Sequence, residues 1–245
     1  MKADPFVHLP GLRGEITSPE KSKYRATQDV LASWDERARK LGRPSNWRRS
    51  DQTLEEIRRA ALKDLDPRKD LWIYAYGSLM WDPGFHFDEV RLAKVEGYQR
   101  RFTSKVTIGR GSPERPALML SLHPHPGSCR GLAFRIAADL VEEESKILWR
   151  REMLQGGYTA LLVPMNTPQG IITALVFAAD TAHSSYVEEL PLNATADVIA
   201  RGSGTMGSNR DYLEQLANQL KALEIEDPYV DRLLECVRNV GNASN

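Results

Sequence analysis

Two places in the chain combine residue types that can do chemistry. In the first, Leu71-Trp72-Ile73-Tyr74-Ala75 runs without a polar break into Tyr76-Gly77-Ser78-Leu79-Met80. Successive backbone N–H groups around such a glycine turn can face an anion or a developing oxyanion. The same letters also suit a strand that simply stops at a glycine. The second place is Glu152, in Trp149-Arg150-Arg151-Glu152-Met153, just before Gly156-Gly157-Tyr158. Within a charged run a carboxylate is ordinarily solvated or paired along its helix. On a last helical turn facing a glycine loop it can lose hydration, and its pKa then climbs toward that of a useful general base.

Other constellations carry less. Gly202-Ser203-Gly204-Thr205-Met206-Gly207 has the letters of a dinucleotide fingerprint. That fingerprint needs a buried strand before the glycines and a helix and second parallel strand after them. Here Ala194–Arg201 reads as a helix and no apolar β run follows, so the segment is expected to be a loop leading to a Ser208 N-cap, a helix start that can itself hold a carboxylate. His123-Pro124-His125 lacks further ligands at a metal-site spacing, and His8, His86 and His183 are isolated. Ser78 therefore has no preferred histidine, and it also lacks the Gly-x-Ser-x-Gly frame of a nucleophile elbow. Neither metal nor cofactor is expected.

The elements that must position the turn and the carboxylate follow from periodicity. Residues 1–20, with Pro5, Pro10, Gly11, Gly14 and Pro19, predict an irregular arm, and helices follow up to residue 70. The second of these has a capping pattern in Thr53-Leu54-Glu55-Glu56, an apolar face at Leu54, Ile57, Ala61 and Leu65, and a stop at Asp66-Pro67. No chemistry-bearing motif precedes residue 71. Strands are expected over 71–76, 101–108, 117–123 and 129–136, the last two parted by Pro126-Gly127, and a hairpin over 158–165 and 171–179. Apolar residues among Leu140, Ile147, Leu148 and Leu154 predict a helix over 138–154, and helices return over 193–201, 209–223 and 227–240. This order predicts an α+β fold with a mixed sheet or small barrel and flanking helices. Residues 1–70 read as an arm and helical extension, and 71–245 as one domain.

Composition narrows the partners. The 245 residues are 41% apolar, enough for a full core, and carry 33 basic against 33 acidic residues. That balance argues against nucleic acid. The two cysteines, Cys129 and Cys236, are too few for a disulfide framework, which suits a reducing cytoplasm. The N-terminal residues lack an apolar leader segment and no run is long enough to span a bilayer.

Five blocks in order resemble the ChaC-type, glutathione-specific γ-glutamylcyclotransferases, over about 71–240: Tyr74–Trp81, Gly97–Phe102, Gly109–Pro113, Leu148–Met153 and Gly207–Leu213. Ala75 stands where many members have glycine, and Met153-Leu154-Gln155 makes a spacer like that of bacterial members. The resemblance implies a γ-glutamylcyclotransferase-like fold and a cytoplasmic, cofactor-independent lyase that closes the γ-glutamyl group of glutathione to 5-oxoproline. It implies Glu152 as the general acid/base. Ala75, Tyr76, Gly77, Ser78, Leu79, Met80, Arg101, Tyr158 and Tyr212 are then expected to bind substrate, with Ser78 a binding residue rather than a nucleophile. Arg101, Arg110 and Arg115 are candidates for the peptide's terminal carboxylate. Two alternatives stay open: other γ-glutamyl amino acids or amines as substrates, and a non-enzymatic regulator of a cation transporter. The extension is where a protein partner could dock.

Overall fold

A computed structural model describes residues 4–242. Strand β1, Leu71–Ala75, is almost wholly buried, as its unbroken apolar run requires. It pairs antiparallel with β3, Ala117–Ile136, in a register that sets Leu71 opposite Ile136 and Ala75 opposite Leu132. It also pairs parallel with β5, Gly170–Ala179. With β2, Glu89–Val106, and β4, Tyr158–Thr167, the strands close a small mixed barrel in the order β1-β3-β2-β4-β5. Gly131 permits the tight β1/β3 approach: a Cβ there would stand 2.2 Å from the Ala75 carbonyl oxygen.

The barrel strands differ from the sequence expectation in length. β2 begins at Glu89 rather than Arg101, and the two strands expected over 117–123 and 129–136 are one, β3, running through Pro126-Gly127. Residues 124–128 of β3 are exposed, so proline's missing N–H is tolerated there. Gly127 adopts φ 147°, and Gln99 lies against it.

The helices are α1, Gln28–Lys40; α2, Asp51–Leu62; α3, Val141–Glu152; α4, Leu192–Arg201; α5, Asn209–Ala222; and α6, Pro228–Asn242. Helix α2 is capped one turn earlier than expected: Ser50 Oγ, not Thr53, accepts from a backbone N–H, that of Thr53 itself. The serine leaves Thr53 inside the first turn. Its buried face also includes Arg58, which forks onto Glu55 and donates to Ser145 of α3. Helix α5 starts as expected at Ser208, in a capping box completed by Asp211.

Two compact units divide the chain: the described residues up to 95 with 131–177, and 96–130 with the described residues from 178 onward. In the first, Trp149 of α3 is buried edge-on against Phe177, 5.3 Å between ring centres. In the second, α4, α5 and α6 pack on one another around Leu213, Leu216, Leu233 and Val237. No described helix is long and apolar enough to cross a membrane.

Candidate active site

In the first unit, β1 ends at Ala75 and the chain passes through Tyr76 and Gly77 into a single 3-10 turn, Ser78–Met80. Gly77 sits at φ −134°, ψ −134°, and its carbonyl accepts from Met80 N. The Tyr76 hydroxyl donates to the Phe177 carbonyl at 2.8 Å, which pins the start of the turn to β5. Ala75 and Met80 are fully buried and Leu79 nearly so. What these three offer a ligand is therefore backbone. Ser78 Oγ accepts from Arg151 Nη2 at 3.1 Å.

That contact ties the turn to the end of α3. Arg151 Nε lies 3.1 Å from Glu152 Oε1, so one guanidinium spans Ser78 and the carboxylate. Nη1 donates to the carbonyls of Asp82, at 2.6 Å, and Pro83, at 3.2 Å. Glu152 is the last residue of α3, and its side chain retains 16% of its exposure. Burial raises its pKa above the ordinary carboxylate value; the charge and hydrogen bond of Arg151 pull the other way and do not overcome it. A carboxylate held so is a proton acceptor of more than usual strength. Tyr158 opens β4 immediately after Gly156 and Gly157, which take φ 91° and 89°. Those left-handed values explain why glycines stand there.

Residues before 71 reach this site, which the sequence did not reveal. The Arg151 guanidinium lies over the Tyr24 ring, 5.2 Å from its centre. Ser22 Oγ donates to Asp82 Oδ1 at 2.5 Å, and Thr17 N–H to the Trp81 carbonyl at 2.8 Å. Beyond Glu152, Arg49 N–H donates to the Leu154 carbonyl and Gln155 Nε2 to that of Trp47. No local pattern marks these contacts, because each joins segments dozens of residues apart.

Arg101 and Tyr212 belong to the second unit. Arg101 Nε lies 2.7 Å from Glu189 Oε1, and its guanidinium stacks on Tyr229 at 4.5 Å. Tyr212 is buried edge-on to Phe102. Arg110, over the Tyr212 ring, donates to Ser208 O, while Arg115 O accepts from Ser112 N. The fingerprint-like glycines have a packing role here: β6, Ser203–Gly204, and β7, Gly207–Ser208, form a tiny hairpin. A Cβ on Gly204 would stand 2.3 Å from the Gly111 carbonyl oxygen. His123 stacks on Tyr186, and His125 Nδ1 meets the Pro126 carbonyl.

Residues 71–240 match the family model described as ChaC-like protein. The chain belongs to the ChaC-like family. Its curated ChaC-like relatives include the glutathione-specific gamma-glutamylcyclotransferase of Escherichia coli (strain K12), 34% identical over 171 residues, 69% of this chain and 74% of that protein. Glutathione-specific gamma-glutamylcyclotransferase 1 of Rattus norvegicus is 34% identical over 181 residues, 71% of this chain and 81% of that one. Among solved structures, a gamma-glutamylcyclotransferase specific to glutathione from yeast superposes with a TM-score of 0.65 at 24% identity, covering 69% of this chain and 96% of that one. The likeness confirms a γ-glutamylcyclotransferase-like fold. The site built from Tyr76–Met80 and Glu152 lies wholly within the ChaC-like residues, whereas Tyr24 and Ser22 precede them.

Proposed function

We propose that this chain is a glutathione-specific γ-glutamylcyclotransferase, a lyase that converts glutathione to 5-oxoproline and Cys-Gly. The observation that carries the reading is a single one: Glu152, its pKa raised by burial, is joined through Arg151 to Ser78 of the glycine turn. The ChaC-like relatives of the same name support the choice of substrate.

Glutathione carries its own nucleophile. The α-amine of the glutamyl group lies five atoms round from the γ-carbonyl, so its attack forms the ring C–N bond, and expulsion of the cysteine nitrogen breaks the peptide bond. Every atom of both products comes from the substrate, and neither a cofactor nor an outside nucleophile enters the balance. Glu152 takes a proton from the α-ammonium and returns one to the departing nitrogen, so a single carboxylate serves both steps. The backbone N–H groups of Ser78 and Leu79, first in a helical turn and without intrahelical acceptors, face the glutamyl carboxylate or the oxyanion. Folding a flexible glutamyl chain into the closing geometry is the larger task, and holding reacting groups together can contribute about 7–11 kcal/mol.

Tyr76 and Tyr158 flank the turn and the carboxylate within the same unit and orient the glutamyl head. The enzyme works on the cytoplasmic glutathione pool, in keeping with a chain of only two cysteines. Purified protein given glutathione should release 5-oxoproline and Cys-Gly, and given γ-glutamyl-alanine should release far less 5-oxoproline. Glu152→Gln keeps the shape and removes the base, so kcat should fall about 100- to 10,000-fold. A folded variant with near wild-type turnover would sink the assignment.

A further inference from the structure

The residues that touch Arg151 divide by origin. Ser78, Asp82, Pro83 and Glu152 lie among the ChaC-like residues, and Tyr24 does not. Tyr24 is itself fixed: its backbone N–H donates to Ser22 Oγ at 3.1 Å, and the same hydroxyl donates to Asp82 Oδ1. Next in sequence, Arg25 donates to the Gly84 carbonyl and forks onto Glu144, which anchors the segment on α3. Packing is close, since a Cβ on Gly84 would stand 3.0 Å from Arg151 Nη1 and 3.3 Å from Ser22 Oγ. The ring of Tyr24 thus covers a face of the guanidinium, whose N–H groups are directed outward in its plane.

We propose that Tyr24 is a positioning residue for catalysis, its ring holding the Arg151 guanidinium where it grips Ser78 and Glu152 at once. The inference rests on Glu152 being the base. Among the described residues, Arg151 is the charged group that faces Glu152, and Asp82, at 3.8 Å, is the other charged group that faces Arg151. The chain before residue 71 then does more than support the fold. It sets the protonation of a residue it does not touch, through a cation shared between turn and base.

The test is the pH dependence of kcat for glutathione in wild type, Tyr24→Phe, Tyr24→Leu and, as a control, Lys23→Ala at the exposed neighbour. Turnover requires ionised Glu152, so activity rises with pH through that group's pKa. Arg151 lowers this pKa, and loosening Arg151 must move the rising limb to higher pH. Tyr24→Phe keeps the ring face and should overlay wild type, as should Lys23→Ala. Tyr24→Leu should shift the limb up by about half a unit, about a threefold loss of kcat on the limb, with kcat returning to wild type above it. KM should change less than kcat does on the limb. The limb's position is independent of how much protein is folded, so partial destabilisation does not obscure it. A Tyr24→Leu limb at the wild-type position, a loss equal at every pH, or a Tyr24→Phe profile like that of Tyr24→Leu overturns the proposal. If Glu152→Gln is inactive while the Tyr24→Leu limb stays put, the Tyr24 role alone fails; an active Glu152→Gln removes the reading beneath it.

Discussion

The two ends of α3 hold the same side chain in opposite states. Glu144, in the first turn, is 1% exposed, yet its pKa lies below the ordinary carboxylate value; Glu152, on the last turn, is 16% exposed and its pKa lies above it. Burial is the largest influence on each and pushes both upward. The difference is what answers it. Glu144 receives Arg25 Nη1 at 2.7 Å and Nη2 at 2.9 Å, with the His86 backbone N–H at 3.2 Å and His86 Nδ1 at 2.6 Å. Among the described residues Glu152 has Arg151 alone, approaching side-on through Nε. Helix polarity works in the same sense, since a helix start favours a negative charge and a helix end opposes it. Directed donors, more than depth of burial, decide whether a buried carboxylate is an anchor or a base.

The strongest way to break the contrast is to strip Glu144 of its fork. Arg25→Ala leaves a buried carboxylate without its cation, and such a break costs about 3–5 kcal/mol. Urea unfolding should show that loss, and adding Glu144→Gln should recover part of it by removing the orphaned charge. A loss under about 1 kcal/mol, the range of an exposed pair, would mean that the two side chains are solvated in the folded protein.

Substituting each glutamate by glutamine then turns the comparison into a sign. Glu144 has a lowered folded pKa, so the folded state binds fewer protons than the unfolded one between the two values. Its stabilisation is present above the unfolded value, the ordinary 4.5 of a glutamate, and is lost as pH falls through the folded one. Glu144→Gln should therefore cost about 1.5–3 kcal/mol near neutrality, the scale of hydrogen bonds to a charged group, with the gap closing in acid. Glu152 reverses this. Its folded pKa is raised, so wild type loses stability as pH climbs from the same unfolded value to the folded one. Glu152→Gln should unfold at a higher temperature than wild type near neutrality, by a stabilisation of about 1 kcal/mol, and match it in strong acid. Thermal melts across pH read both variants, and curves of the same sign would refute the contrast.

How much of this the sequence disclosed follows the range of each interaction. The strand-to-turn run Leu71–Met80 is local, as are the apolar stripe of α3 and the Ser208 cap, and each declares itself by pattern. The role of Glu144 does not, because Arg25, 119 residues away, turns one more acid in Glu142-Glu143-Glu144 into a buried anchor. Ser50 out-competed Thr53 as a cap though both suit the position, since the deciding factor is where the chain enters the helix. The extents of β2 and β3 escaped for a related reason. Strand pairing across a long hairpin carries Pro126-Gly127 through a strand that propensity alone would end.

Ser78 offers the smallest and most discriminating probe of the base end. Its Oγ accepts one N–H of Arg151, the cation that also contacts Glu152. Ser78→Ala removes that acceptor without touching the backbone N–H groups of the turn, so the proposed oxyanion donors and the proposed glutamyl-binding geometry survive. One hydrogen bond to a partly buried guanidinium is worth about 1 kcal/mol, which predicts roughly a fivefold fall in kcat/KM for glutathione. A serine acting as nucleophile predicts something else entirely, a loss of several powers of ten with no 5-oxoproline formed. The residual rate of Ser78→Ala thus separates a hydroxyl that holds Arg151 from one that attacks the substrate, and a fivefold change leaves the glutamyl α-amine as the nucleophile.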